Sequence, residues 1–272
     1  MCSSDLILED VIQENVNEKE VAVLLSGGVD SLSIALAAHR LNYKVHAYSF
    51  HLENHPSYDC EKAEEASKKM NWQFTKVIVP TNNLTEDFLK LRTEFKCIKK
   101  THYECTFPFL YIYPLITEKI VLSGVAADGH YGVSKKACLH FKQPKEKFDQ
   151  FREEYFSQSN PAGLLQQIEL SNKYNKTFVA PYLDTKVIQF FRQYDWFELN
   201  KPYQKHHVRE CFPEFQIIGK PKQHINLQLG AGIDKAFESL LQSNEINYKR
   251  RTRMLDVYRD WKNRDEIRTL FN

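Results

Sequence analysis

The sequence has no apolar run long enough to span a bilayer and no apolar core of a signal peptide, so neither membrane insertion nor export is expected. Its six cysteines, at 2, 60, 97, 105, 138 and 211, include no Cys-x-x-Cys pair. That argues against a redox or sulfur-transfer centre and suits reduced thiols in the cytoplasm. Cys97, His102 and Cys105 are near one another, but a fourth ligand and metal-type spacing are missing, so they read as packing or loop residues. Charge of one sign is also missing: a formal net charge of +2 gives no global electrostatic case for a nucleic-acid partner. Finally, no Gly-x-x-x-x-Gly-Lys-Ser/Thr loop follows a strand, which excludes an ordinary kinase or GTPase phosphate cradle.

What is present can build a full core, since 272 residues with 42% hydrophobic content suffice for one large α/β domain or a domain with a helical addition. Strand and helix patterns alternate. Residues 21–25, 44–50, 73–79 and 119–122 read as strands; 31–41, 60–70, 84–95 and 107–116 read as helices. A loop is expected over 97–105. This alternation predicts an α/β fold, a parallel sheet with helices on both faces, in which ligands gather at the carboxyl ends of the strands.

The first strand runs directly into Ser26-Gly27-Gly28-Val29-Asp30-Ser31. Gly27 and Gly28 let backbone N–H groups approach an anion with no Cβ in the way, and Ser26 and Ser31 add hydroxyls beside the start of a helix. A carboxylate at Asp30 would repel phosphate unless a divalent cation, Mg²⁺ by its chemistry, lay between them. The strand at 119–122 repeats this design, ending in Ser123-Gly124 with Asp128 close behind. Asp30 and Asp128 on one sheet edge could share a Mg²⁺ that bridges the phosphates of ATP, although either alone could be a helix cap.

Ser-Gly-Gly-Val-Asp-Ser resembles the PP-loop of the ATP pyrophosphatases, a HUP-like, Rossmann-like superfamily. The full order of motifs resembles the synthetase domain of asparagine synthetase and its relatives. That family pairs this loop with a later Ser-Gly-Glu-Gly-Ala/Ser-Asp-Glu-x-x-Gly-Gly-Tyr. The chain also carries Tyr48-Ser49-Phe50, Pro181-Tyr182-Leu183-Asp184 for Pro-Phe-Leu-Asp, Lys205-His206-His207-Val208-Arg209-Glu210 for Lys-His-x-Leu-Arg-Glu, and Lys220-Pro221-Lys222 for Arg-Pro/Gln-Lys.

The resemblance implies that Leu24, Leu52, Ser123 and Gly124 contact the adenosine part of ATP. Ser26, Gly27, Gly28 and Ser31 would hold pyrophosphate, and Asp30 and Asp128 would hold Mg²⁺. Lys222 would bind pyrophosphate and neutralise charge developing between the α and β phosphates. Lys205 and Arg209 read as structural or solvent-facing. The implied reaction is ATP-dependent ligation: a small-molecule carboxylate attacks the α phosphorus, pyrophosphate leaves, and ammonia or an amine displaces AMP to give an amide.

Three departures bear on that reading. Residues 1–20 leave no room around Cys2 for the family's glutaminase domain, so nitrogen is expected from free ammonia, a separate glutaminase subunit or an amine on the substrate. Val125 and Gly129 replace the two glutamates of the second motif, and valine can neither take a proton nor hold an ammonium group. His130 or Tyr131 could supply the base, although a histidine in the core, or one packed behind the site, suits the position better. Val133 replaces a glycine, which points to a rebuilt acceptor pocket with residues 101–109 as its candidate lining.

The organisation expected is an N-terminal extension over 1–20, the synthetase-like domain over 21–235 and a basic helical tail over 236–272. That tail interleaves arginines with Tyr248, Tyr258 and Trp261, which could grip a nucleic-acid backbone; its aspartates at helical spacing suit a solvated, ion-paired face equally well. Two other functions stay open: a PP-loop enzyme that adenylates a nucleic-acid base for nitrogen or sulfur insertion, and a non-catalytic nucleotide-binding module.

Overall fold

A computed structural model describes residues 4–98, 100–133, 144–158, 163–219 and 227–243. Helix α1 (Ser4–Asn15) leads into β1 (Glu20–Leu24), α2 (Val29–Arg40), β2 (Lys44–Leu52), α3 (Tyr58–Met70) and β3 (Gln73–Val79). Helices α4 (Leu84–Thr93), α5 (Lys100–Thr106) and α6 (Phe109–Ile112) precede β4 (Ile120–Ser123) and α7 (Ala127–Tyr131). Then come α8 (Lys145–Phe156), α9 (Leu164–Lys173) and β5 (Thr177–Val179), followed by α10 (Thr185–Arg192) and α11 (Trp196–Asn200). The described chain closes with α12 (His206–Cys211), α13 (Glu214–Ile218), α14 (Leu227–Gly230) and α15 (Ile233–Ser243).

The five strands form one sheet in the order β3-β2-β1-β4-β5, every neighbouring pair parallel. The central strand β1 is therefore flanked on both edges and covered on both faces, which explains why residues 21–24 read as an unbroken apolar run. The pleat sends its side chains alternately to two cores. Val21 and Val23 join Val45, Ala47, Ile120 and Leu122 against α1, α2, α3 and α10. Ala22 and Leu24 join Tyr48, Phe50, Leu52 and Val121 against α4, α5, α6, α9 and α15. Helices on both faces of a parallel sheet are thus the architecture, with further helices toward the C-terminus.

Three segments differ from the sequence pattern for identifiable reasons. The apolar stretch expected as one helix over 107–116 is α6 followed by a 3₁₀ turn at Tyr113–Leu115, because Pro114 supplies no N–H to continue the α-helical ladder. The loop expected over 97–105 is largely helix α5, whose Tyr103 stacks on Phe88 with ring centroids 4.2 Å apart. The segment before β1 forms α1, and its Leu8, Val11 and Ile12 are buried in the first core.

Candidate active site

The turn after β1 closes on itself before it opens to any ligand. The Ser26 N–H donates to Ser31 Oγ (3.0 Å), the two hydroxyls meet at 3.1 Å, and Gly28 N–H donates to Ser26 Oγ (3.4 Å). Gly27 sits in the left-handed region at φ 69°, and a Cβ built on it would lie 2.6 Å from Lys62 Cβ and 2.9 Å from Ala63 N of α3. Only glycine fits there. Gly28 caps α2, which places Asp30 in the first turn of that helix.

The turn after β4 packs flush against this one. A Cβ on Gly124 would lie 2.5 Å from the Asp30 carbonyl carbon and 2.7 Å from Ser31 N, so the two turns approach backbone to backbone. Ser123 Oγ accepts the Val125 N–H at 3.3 Å. Ala126, where the family pattern has glycine, keeps a left-handed φ of 71° and starts α7, which carries Asp128. A non-glycine residue in that region costs about 1 kcal/mol, a strain held by the surrounding packing.

Asp30 and Asp128 converge on one cation, the ammonium of Lys205. Lys205 Nζ donates to Asp30 Oδ1 (2.7 Å) and Oδ2 (2.6 Å) and to Asp128 Oδ1 (2.7 Å). The lysine side chain is only 5% exposed. Burial alone would push its pKa down; the charges of Asp128 and Asp30 outweigh that and hold it well above the usual lysine range. Its backbone is fixed too. Lys205 adopts φ 57° ahead of α12, with its N–H bonded to Asn200 Oδ1 (3.1 Å), while Asn200 Nδ2 donates to the Tyr131 carbonyl (2.8 Å).

A layer of polar and aromatic groups supports this cluster. Ser33 Oγ donates to the Asp30 carbonyl (2.9 Å) and meets the Tyr182 hydroxyl at 2.8 Å. The Tyr182 carbonyl accepts from His130 Nε2 (2.7 Å), which fixes the imidazole tautomer with its proton on that nitrogen. His130 is wholly buried, and burial pushes its pKa down to about 3, so it packs as a neutral core side chain and not as a base in the cleft. Tyr131 is likewise 0% exposed, and Nζ of Lys205 lies 5.4 Å from its ring centre. The space beside Gly129 is taken by α8: a Cβ there would lie 2.4 Å from the Tyr155 ring. Burial and the charges of Asp128 and Asp30 keep the Tyr155 hydroxyl protonated at neutral pH.

Next to the first turn, a cleft opens toward the carboxyl ends of β1 and β2, lined by Leu24, Ser26, Ser49, Phe50, Ser57, Asp59 and Phe109 among others. Leu52 is not among its lining residues; it borders a second, more open cavity with His55, Thr81 and Lys235. Of residues 101–109, Phe109 lines the first cleft, while Tyr103, Thr106 and Phe107 are buried in packing. Lys222 and most of the basic tail lie outside the described residues. Among the described residues no group of three or more His, Cys, Asp or Glu is arranged around a common metal position, and no helix is long and apolar enough to cross a membrane.

Sequence reasoning missed Lys205 and Tyr155. The Lys-His-x-Leu-Arg-Glu match is the available signal for Lys205, but on an expected helix it reads as structural or solvent-facing. Tyr155 stands in a charged stretch with no motif around it.

A parallel sheet whose central strands end in two abutting Ser-Gly turns, each followed by an aspartate, defines a domain of the PP-loop class. The asparagine synthase family model matches residues 5–173, and the chain belongs to that family, whose PP-loop enzymes use ATP. A search of curated protein sequences finds no match. Among solved structures, a predicted subunit of tRNA methyltransferase from Methanocaldococcus jannaschii is similar at 17% identity and a TM-score of 0.38, over 64% of this chain and 75% of that one. NMN synthetase from Francisella tularensis is similar at 17% identity and a TM-score of 0.34, over 82% of this chain and 95% of that one.

Proposed function

We propose that the chain is an ATP-dependent, AMP-forming ligase that adenylates a small-molecule carboxylate and transfers it to ammonia or an amine. The observation that carries this reading is the convergence of Asp30 and Asp128, from two separate turns, on a single cation within 2.7 Å of both. A phosphate-binding turn would gain nothing from two carboxylates unless a cation stood between them and the ligand.

The donor set fits Mg²⁺: hard carboxylate oxygens from Asp30 and Asp128 are already brought to one point beside the glycine turn that precedes α2. Mg²⁺ held by Asp30 and Asp128 would supply charge neutralisation for the triphosphate. The chain's own groups do the rest. Backbone N–H groups around Gly27 and Gly28, with the Ser26 and Ser31 hydroxyls, orient the departing pyrophosphate. The apolar walls of the cleft at Leu24 and Phe50 take the nucleoside. Lys222 is proposed to meet charge on the bridging oxygen. Catalysis is then chiefly positioning and fixed electrostatics.

Val125 and the Tyr155 ring over Gly129 leave no glutamate in the second turn, so the acceptor differs from one that needs a carboxylate there. The test is incubation with MgATP, ammonia and a panel of carboxylic acids, with AMP, ADP and pyrophosphate quantified. Acceptor-dependent release of AMP and pyrophosphate supports the reading; ADP and phosphate refute it. Asp30→Asn should abolish metal-dependent binding of pyrophosphate, and retention of that binding would sink the assignment.

A further inference from the structure

We propose that Lys205 is an exchangeable counter-cation, holding Asp30 and Asp128 together in the nucleotide-free chain and releasing them when the metal-bound triphosphate arrives. The inference rests on the ATP-binding reading of this site and adds an order of events to it.

The starting arrangement is explicit in the distances. One ammonium makes three bonds of 2.6 to 2.7 Å to the two carboxylates, and it is buried while Asp30 and Asp128 stay partly open to solvent. Without a cation, two ionised carboxylates brought this close would repel. The ammonium therefore sets the geometry that a divalent ion would need, ahead of that ion. It also obstructs the ion: a divalent cation entering alone meets a positive charge already bonded to both of its ligands. Phosphates change the balance, because a released ammonium then has anionic partners and the metal brings its own.

The anchor of Lys205 suits such an exchange. Its backbone is pinned by Asn200 in a left-handed conformation unusual for a side-chain-bearing residue, while the ammonium stands at the end of a flexible four-carbon stem. A fixed root with a movable head allows the charge to shift between neighbouring anions without disturbing α12. The positive φ marks a backbone held there by its surroundings. Asn200 is in turn tied to the carbonyl of Tyr131, the last residue of the helix that carries Asp128. Root and target are thereby built on one framework.

Binding of Mn²⁺ alone to the nucleotide-free chain, measured by electron paramagnetic resonance, reads this directly. Lys205→Met and Lys205→Gln should each bind Mn²⁺ at least about tenfold more tightly than the wild type, because a competing charge is removed from the site. Divalent cation should raise the Tm of both variants but not that of the wild type, and Asp30→Asn added to either should erase the gain. Equal Mn²⁺ affinity of wild type and variants, with nucleotide binding intact, overturns the exchange and leaves the ligase reading standing. Failure of the wild type to bind ATP or pyrophosphate at all overturns both. Should neither variant fold, nucleotide-free wild-type crystals soaked in Mn²⁺ decide the matter. An anomalous peak between Asp30 and Asp128 refutes the proposal; Lys205 still bonded there, with no peak, supports it.

Discussion

Replacing Gly124 by alanine tests the tightest contact of the site. The added methyl would lie 2.5 Å from the Asp30 carbonyl carbon and 2.6 Å from its oxygen, about 1 Å inside ordinary contact, and both obstacles are backbone. No side chain can swing aside, so the turn after β4 must move off the start of α2. Overpacking of this kind costs about 1–3 kcal/mol. A shift near 1 Å would also separate Asp30 from Asp128, and misplacement on that scale can cost about a hundredfold in rate. Gly28→Ala is the matched control. Gly28 has φ −81°, and its added methyl meets only Ser26 Oγ at 3.3 Å. Urea unfolding and pyrophosphate binding should therefore separate the pair. Gly124→Ala loses stability and binding together, whereas Gly28→Ala keeps stability within about 0.5 kcal/mol and weakens anion binding alone. A Gly124→Ala protein with wild-type stability and affinity would refute the picture of two turns in backbone contact.

Two further expectations follow from burial and charge. His130 takes up a proton near 6.5 when exposed but only near 3 when folded, because burial penalises the imidazolium. The unfolded chain binds the extra proton between those values, so stability should fall as pH drops from about 6.5 toward 3. His130→Leu should flatten this acid limb in urea titrations at pH 7 and pH 4.5, and an unchanged slope would count against the assignment. Arg40 binds both oxygens of Glu214 at 2.7 Å and Asp5 at 2.8 Å, which ties α2 to α13 and α1. Arg40→Met should cost about 1–3 kcal/mol, toward the lower end because the side chain is partly solvated, with nucleotide affinity unchanged. Stability as great as wild type at low ionic strength would show that the clamp contributes nothing.

The sheet was readable because its strands carry their signal locally. Residues 21–25, 44–50 and 73–79 are short apolar or β-branched runs punctuated by turn residues, and the observed strands fall on them. Strand β5 was not readable, since three residues at an edge, none of them fully buried, give no period. Among site residues, Asp30 and Asp128 were legible because each follows its own Ser-Gly turn. Lys205 was not. It lies 175 positions from Asp30 and takes a left-handed conformation just ahead of α12, which no helical periodicity describes. His130 was legible as a core histidine, and its position in α7 packs it among the rings of Phe156, Tyr182 and Phe191.

The contact of α3 with Gly27 has a consequence beyond sterics. Lys62 and Ala63 back the turn proposed to bind the anion like a wall behind a seat, so on that proposal the seat has its shape before a ligand arrives and association draws little on ordering of the chain. The same wall makes a remote helix a partner in recognition. A bulkier residue at position 63 would tilt the seat and be felt as lost affinity, although that residue never meets the ligand.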